Sequence, residues 1–328
     1  MSSEQQEHER MRRGRGRELI VDTDTLEIND DALALHYLFA LPRIPTLLTT
    51  VFGNTTAAAS ARHARALVRD HRLDIDVVRG CEKPLWWHGP GRKDVRGTVA
   101  ALAPETYVAS LRADDEGFWT TGAEDGPAPA ALVTALTRSP GADVLAIGPL
   151  TNVARAVRRL PSSVTARHRL WTAGGSVGSG NVTEHAEFNA FADPEALRAC
   201  LEAGWETVVM VPLEVLGVPR LRPPAVDRIR RTDTPLGAAL DRLERESPRG
   251  DGTDREPVWD VVAALLVADD GLPYEAERGT LSVDTGPERR GAVRLEPGAG
   301  THRLVTRVDP EAVVRRFETV VSRPRSSR

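Results

Sequence analysis

Four aspartates stand close together near the start of the chain, in the segment Asp22-Thr-Asp24-Thr-Leu-Glu-Ile-Asn-Asp30-Asp31. The first pair follows an apolar run and the second pair opens a helical pattern, so the acids gather where a strand leads into a helix. Like charges repel, by roughly 4 kcal/mol for a pair about 4 Å apart at an effective dielectric constant of about 20. Helix capping explains one or two such acids. All four together indicate a divalent cation, and oxygen ligands favour calcium or magnesium over zinc.

The segments around these acids alternate between short β-branched runs and longer stretches with apolar residues at helical spacing. The strand candidates are 19–22, 46–52, 75–78, 143–147, 168–172 and 207–211. The helix candidates between them are 31–41, 57–70, 130–138, 152–160 and 194–203. This alternation predicts a single-domain α/β fold with a mostly parallel central sheet and helices on both faces.

In a parallel sheet, ligands bind beyond the carboxyl ends of the strands. Asp22, Asp24 and the segments 53–54 and 148–152 fall at such ends, so we expect them to meet at one edge. Two segments, 84–96 and 220–257, interrupt the alternation and are predicted to cover the site rather than to join the core. The remaining candidates are helices at 236–244, 258–268 and 310–321, and strands at 280–283, 292–295 and 303–308.

The composition argues against several classes of protein. The chain has 328 residues and a formal net charge of −4, unlike the basic footprint of a nucleic-acid-binding protein. Its two cysteines, Cys81 and Cys200, are too few for a disulfide framework, which favours a reducing compartment. No segment approaches the ~20 apolar residues of a membrane span, and 1–17 lacks a signal-peptide core. We expect a cytoplasmic protein without membrane or nucleic-acid partners. Its domain, 18–321, would lie between a disordered arm, 1–17, and a tail, 322–328.

Several later segments carry a family resemblance. They are Gly53-Asn54, Lys83-Pro84-Leu85, Gly148-Pro-Leu-Thr151-Asn152, Gly174-Gly175, Gly180-Asn181-Val-Thr183, Ala186-Glu187-Phe188-Asn189 and Trp259-Asp260. Together with the acidic motif, and in the same order along the chain, they resemble the inosine–uridine type nucleoside hydrolases. The first motif alone, Val21-Asp-Thr-Asp-Thr-Leu26, also resembles that of the haloacid-dehalogenase-type phosphatases. Those enzymes need a later Gly-Asp-x-x-x-Asp, and this chain has Asp269-Asp270-Gly271 in the wrong order.

The resemblance implies a role for each matching residue. Calcium would be held by the carboxylates of Asp24, Asp31 and Asp260 and by the carbonyl of Thr151, with Asp24 also acting as general base. The sugar would be held by residues of the other motifs. Asp30 would accept a hydrogen bond from the 2′-hydroxyl, Asn54 would contact the ribose or the water, and the 5′- and 3′-hydroxyls would meet Asn181, Glu187 and Asn189, with Phe188 between them.

The departing base needs separate candidates. Many members of this family carry histidine before the last metal-ligating aspartate, whereas this chain has Trp259, which cannot protonate a ring nitrogen and would stack on the base instead. Trp86 or Trp87 would supply the opposite stacking surface, and this arrangement favours purines. The alternative is that Trp259 packs in the core and that Trp86 and Trp87 only fill their loop. His88 and His185 are the remaining candidates for a general acid.

Two departures from the family pattern bear on activity. The family's Leu-Asp-Val-Thr segment appears in this chain as Leu213-Glu-Val-Leu216. The first loop is longer here than in the family pattern and contains Leu26 and Glu27. The sequence therefore predicts calcium-dependent hydrolysis of a free nucleoside to ribose and base, in a homodimer or homotetramer. The alternative is a catalytically weak protein of the same fold that binds a nucleoside or ribose.

Overall fold

The computed structural model describes residues 16–85, 125–246, 258–269 and 272–323. Its strands are β1 (Glu18–Thr23), β2 (Leu47–Thr50), β3 (Asp76–Arg79), β4 (Ala142–Ala146), β5 (Arg169–Ala173), β6 (Thr207–Val211), β7 (Tyr274–Val283), β8 (Val293–Pro297) and β9 (His302–Val308). Its helices are α1 (Asp30–Phe39), α2 (Ala57–Asp70), α3 (Ala128–Arg138), α4 (Thr151–Val157), α5 (Ser162–Thr165), α6 (Phe188–Ala192), α7 (Pro194–Leu201), α8 (Leu213–Leu216), α9 (Pro223–Arg230), α10 (Pro235–Glu246), α11 (Trp259–Ala268) and α12 (Pro310–Val321).

The strands form one sheet in the order β3-β2-β1-β4-β5-β6-β9-β7-β8. The strands from β3 to β9 in this order pair in parallel, and β7 and β8 add an antiparallel edge. The chain first builds outward from β1 through β2 to β3, and then returns to place β4 on the other side of β1. This reversal leaves a crevice beyond the carboxyl ends of β1 and β4, where open α/β sheets bind their ligands. The predicted mostly parallel α/β fold is confirmed.

Both faces of the sheet are covered by helices. Successive residues of a strand point to opposite faces, and accordingly Leu19 and Val21 of β1 pack in one core with α1, α11 and α12, whereas Ile20 packs in another with α3, α4 and α7. The helix α11 is buried from Asp260 to Val267 because it lies between α1 and the sheet. That position carries Asp260 to the carboxyl edge of the sheet.

The segment 220–257 corrects one prediction. The sequence predicts a cover over the site with a helix at 236–244. That helix is present as α10, but the described part of the segment also contains α9. Ala225, Ile229 and Leu236 from these helices are buried in the same core as α11, so this part of the segment belongs to the core. In α9 the apolar residues are separated by an aspartate and arginines, which hid their helical spacing.

The ends of the described chain bear on the predicted boundaries. Arg17, inside the predicted arm, pairs with Glu206 at 2.9 Å and approaches Asp143 at 3.6 Å. Residues 1–15 and 324–328 lie outside the described residues. Within the described ranges, no helix combines the length and the apolar character required to cross a bilayer.

A buried histidine pair predicts how folding stability depends on pH. The Nδ1 atom of His36 in α1 lies 2.7 Å from Nε2 of His71, which follows α2. Burial, and then the neighbouring His71, lowers the pKa of His36 to about 3. In the unfolded chain this imidazole takes up a proton below a pH of about 6.5. The contribution of the neutral folded His36 is therefore complete above that pH, and it is lost as the pH falls toward 3.

We expect the free energy of unfolding to fall by about 2 kcal/mol between pH 6.5 and pH 5 through this residue alone. The variant His36→Asn keeps an amide near the Nδ1 position and cannot titrate in this range. Urea unfolding at both pH values should therefore show a smaller loss for the variant than for the wild type. Equal losses would mean that His36 does not bind its proton differently in the two states.

Candidate functional site

Five acids converge at the crevice beyond β1 and β4. Asp24 directly follows β1, and Asp30 and Asp31 open α1. Asp260 stands in the first turn of α11, far along the chain. Carboxylate oxygens of Asp30, Asp31 and Asp260 all lie within 4.8 Å of one another. Asp24 and Glu187 are near enough to repel the charge of Asp260.

The side chain of Asp31 is held from several directions. Its Oδ1 accepts hydrogen bonds from Thr23 Oγ1 at 2.5 Å and from the Asp24 amide at 3.2 Å. Its Oδ2 accepts from Asn29 Nδ2 at 2.9 Å and from Asn54 Nδ2 at 3.2 Å. The same Asn29 caps α1 by accepting the amide of Ala32 at 3.0 Å. The long first loop therefore fixes both the start of the helix and the orientation of its carboxylate.

One oxygen of Asp24 is left without a partner. Its Oδ2 accepts the Asn54 amide at 2.6 Å, but Oδ1 is buried and has no hydrogen-bond partner among the described residues. A Cβ on Gly53 would lie 1.9 Å from Oδ2, and one on Gly148 would lie 2.9 Å from Oδ1. Only glycine therefore fits at position 53 without a shift of this carboxylate. A buried carboxylate oxygen without a partner is costly unless it binds a ligand.

The electrostatics of the cluster favour the binding of a cation. Burial, followed by repulsion from Asp30, Asp31, Asp24 and Glu187, raises the pKa of Asp260 well above its usual range. Burial and then Asp31 raise the pKa of Asp30 to about 7 and that of Asp24 well above its ordinary value. Such shifts are expected where carboxylates share a dry site without a compensating positive charge. The donors are all oxygen atoms, which suits a hard divalent cation.

A second group of residues follows β5 on the other side of the crevice. Glu187 caps the short helix α6: its Oε1 accepts the Asn189 amide at 2.9 Å, and its Oε2 accepts the amides of Gly175 at 2.7 Å and Ala190 at 3.1 Å. Asn189 Nδ2 donates to the carbonyls of Ile147 at 3.2 Å and Ala173 at 3.3 Å. The Oδ1 of Asn189 is buried and has no partner in the described structure. Like Asp24, Asn189 therefore presents an unused acceptor.

Asn181 and Phe188 lie farther toward the surface. The Asn181 side chain is exposed, and its Oδ1 accepts the Phe188 amide at 3.1 Å. Phe188 is partly buried against a small apolar cluster of Val182, Ala186 and Phe191. These contacts order the loop that carries Asn181.

The other predicted site residues have different surroundings. Thr151 is buried at the start of α4, where its Oγ1 donates to Asp193 at 2.6 Å. Trp259 is half-buried, packs partly against the main core and directly precedes Asp260. His185 lies 3.1 Å from the exposed Glu184. Trp86, Trp87 and His88 lie outside the described residues.

The departures from the family pattern have structural counterparts. Glu214 Oε1 accepts from Ser176 Oγ at 2.8 Å and from the amides of Val177 at 3.1 Å and Gly178 at 2.6 Å. The longer glutamate thus orders the start of the loop that leads to Asn181, a role that no local sequence signal revealed. In the first loop, Glu27 forms an ion pair with Arg242 of α10.

Comparison with known proteins agrees with these motifs. The family model described as inosine-uridine preferring nucleoside hydrolase matches residues 19–315. An uncharacterised protein of Schizosaccharomyces pombe is 31% identical over 222 residues, which are 66% of this chain and 64% of that protein. The non-specific ribonucleoside hydrolase RihC of Escherichia coli (strain SMS-3-5) is 34% identical over 196 residues, which are 59% of this chain and 61% of that protein. The match thus spans less than two thirds of the length of these relatives.

A solved structure agrees at the level of the fold. The purine-preferring ribonucleoside hydrolase from Gardnerella vaginalis superimposes with a TM-score of 0.72 at 21% identity, over 93% of this chain and 98% of that chain. This chain therefore shares the overall fold of that solved structure. From the family match over nearly its whole length, this chain belongs to the inosine-uridine preferring nucleoside hydrolase family.

Proposed function

We propose that this protein hydrolyses the N-glycosidic bond of a free nucleoside to ribose and a nucleobase, and that it requires calcium. The observation that carries this proposal is the convergence of Asp30, Asp31 and Asp260, with the unpartnered Oδ1 of Asp24 beside them, at the ligand-binding crevice of the sheet. The Escherichia coli relative is named a non-specific ribonucleoside hydrolase, which supports the same reaction.

Four groups would hold the cation: the carboxylates of Asp24, Asp31 and Asp260 and the carbonyl of Thr151. When bound, a divalent cation lowers the pKa of a coordinated water and fixes the vicinal hydroxyls of the sugar. Calcium suits this set because it binds roughly six to eight oxygen ligands, several of which can be carboxylates. Magnesium, by contrast, usually keeps most of its waters.

Asp24 is the proposed general base. Its Oδ2 is fixed by the Asn54 amide, so the orientation of the carboxylate is set before substrate arrives. Its Oδ1 is unpartnered among the described residues and is therefore available to take a proton from the attacking water. The packing of Gly53 and Gly148 against this carboxylate limits its movement. The backbone N–H of Asn54 thus positions the general base.

The sugar would be held by acceptors on both sides of the crevice. Asp30 is half-buried and accepts a hydrogen bond from the 2′-hydroxyl in our proposal. Asn189 Oδ1 has no hydrogen-bond partner in the described structure, and a carboxylate such as Glu187 offers about four acceptor sites, so both can accept from sugar hydroxyls. Asn181 closes the site from the surface. As positive charge develops on the ribose in an oxocarbenium-like transition state, the carboxylates of Asp30 and Glu187 bind it more strongly.

Trp259 provides a prediction about the base. Its indole is half-buried and directly precedes Asp260 in the chain, and we propose that it stacks on the purine ring of the substrate. Stacking contributes about 1–3 kcal/mol per base and grows with ring area. We expect Trp259→Ala to lower kcat/KM about 10-fold more for inosine than for uridine, and Trp259→Phe to retain most of the preference. Equal losses on both nucleosides would assign Trp259 to core packing.

The function is tested by release of free ribose from inosine, guanosine, adenosine, uridine and cytidine with calcium added. We expect ribose from at least one nucleoside and no phosphate from a phosphomonoester. Ribose binding without release of base from any nucleoside would contradict the proposal and identify a binding protein of this fold.

A further inference from the structure

Asp22, the first acid of the motif, has no part in the proposed chemistry, although it is fully buried. It lies near the end of β1, opposite Thr49 of β2 and Ala146 of β4. Its Oδ1 accepts two hydrogen bonds, from Thr49 Oγ1 at 2.5 Å and from Asn152 Nδ2 at 2.8 Å. Asp22 therefore acts on its surroundings through Oδ1, and one of its partners is the residue that follows Thr151.

The side chain of Asn152 connects the ends of several strands to α4. Its Nδ2 also donates to the Thr50 carbonyl at 3.0 Å, and its Oδ1 accepts the Cys81 amide at 2.8 Å. The side-chain amide of Asn152 thus contacts β1, β2 and the residues after β3. Both of its polar atoms have partners, so its orientation is unique. A Cβ on Gly80 would lie 2.3 Å from this amide, which shows how closely it is enclosed.

These contacts hold the residues on both sides of the Thr151 carbonyl in place. That carbonyl belongs to the peptide group between Thr151 and Asn152. On one side of this peptide, Thr151 Oγ1 is anchored to Asp193 at 2.6 Å. On the other side, the Asn152 side chain is anchored to Asp22, Thr50 and Cys81. These hydrogen bonds between buried groups hold the first turn of α4 in place, so the Thr151 carbonyl keeps the direction that the start of this helix gives it.

We infer that Asp22 and Asn152 are positioning residues for the calcium site: Asp22 orients Asn152 by accepting its hydrogen bond, and Asn152 fixes the Thr151 carbonyl toward the cation. The inference rests on the proposed function, since it takes the Thr151 carbonyl as a ligand. Residues that orient metal ligands without touching the metal typically change metal affinity by 10- to 100-fold, roughly, when they are replaced.

The test measures the calcium dissociation constant of the purified full-length protein by isothermal titration calorimetry. We expect Asp22→Ala and Asn152→Ala each to weaken calcium binding by roughly 10- to 100-fold. The double variant should be little weaker than either single variant, because the two residues act through one hydrogen bond. Asp22→Asn retains an acceptor oxygen for Asn152 and should bind calcium within about threefold of the wild type. Thr49→Val is the matched control, since it removes the other hydrogen bond to Asp22 and should leave the constant unchanged.

Circular dichroism at the titration temperature shows which variants are folded, and only those are compared. If an alanine variant is unfolded, Asp22→Asn still tests the inference. If Asp22→Asn binds calcium 10-fold more weakly than the wild type, Asp22 acts by its charge and the inference is wrong. Wild-type affinity in folded Asp22→Ala and Asn152→Ala also overturns it, while the proposed function stands. If the wild-type protein itself binds no calcium, the calcium requirement and this inference fail together.

Discussion

Replacement of Asp24 by asparagine should reduce kcat/KM for ribose release by on the order of 10³-fold or more, because it removes a metal ligand and the proposed general base together. Asparagine has the same shape and can still accept the Asn54 amide, so the enclosed site need not rearrange. The measurement is the initial rate of ribose release from the best nucleoside, with calcium at saturation for the wild type.

The variant should remain folded. Asp24 is buried among like charges, and the loss of its charge relieves repulsion in the calcium-free protein. We therefore expect the Tm of calcium-free Asp24→Asn to be no lower than that of the calcium-free wild type. Asp74→Asn is the matched control. Asp74 is exposed and precedes β3, so it lies at the amino ends of the parallel strands, away from the proposed site. Wild-type rates in Asp24→Asn would remove Asp24 from its proposed role.

Exhaustive chelation should abolish turnover to a similar extent, because the proposed activation of the water and the fixing of the two vicinal hydroxyls depend on one ion. Calcium should restore the rate, and magnesium should restore little of it, since magnesium retains its waters and seldom accepts three carboxylates. Calcium should also raise the Tm, because the ion binds the folded state and compensates the repulsion between Asp30, Asp31 and Asp260.

Two results would contradict this expectation. Full activity after chelation would show that the acidic cluster does not need an ion for the reaction. Full recovery with magnesium alone would assign the site to a different cation. A chelated sample of Asp74→Asn, carried through the same steps, controls for damage during removal of the ion.

Local sequence patterns predicted most of the elements that build the site. Buried β-branched runs identified β1 to β6, and apolar spacing identified the long helices, because each signal lies within a few residues. The strand β7 was recognised only at its end, since its first residues are charged and exposed and its pairing with β9 and β8 stabilises it instead. Likewise, α9 was hidden by the charged residues between its buried positions, whereas α10 had been predicted over 236–244.

The sequence by itself determined that four acids lie between a strand and a helix, because neighbours along the chain stay neighbours in space. Only the tertiary structure decided which distant groups join them. Asp260 reaches the cluster because α11 packs between α1 and the sheet. Asp22 proved to hold Asn152, which lies 130 residues further along the chain. These pairings depend on strand order and register, which join residues far apart in the chain and leave no periodic trace in either partner.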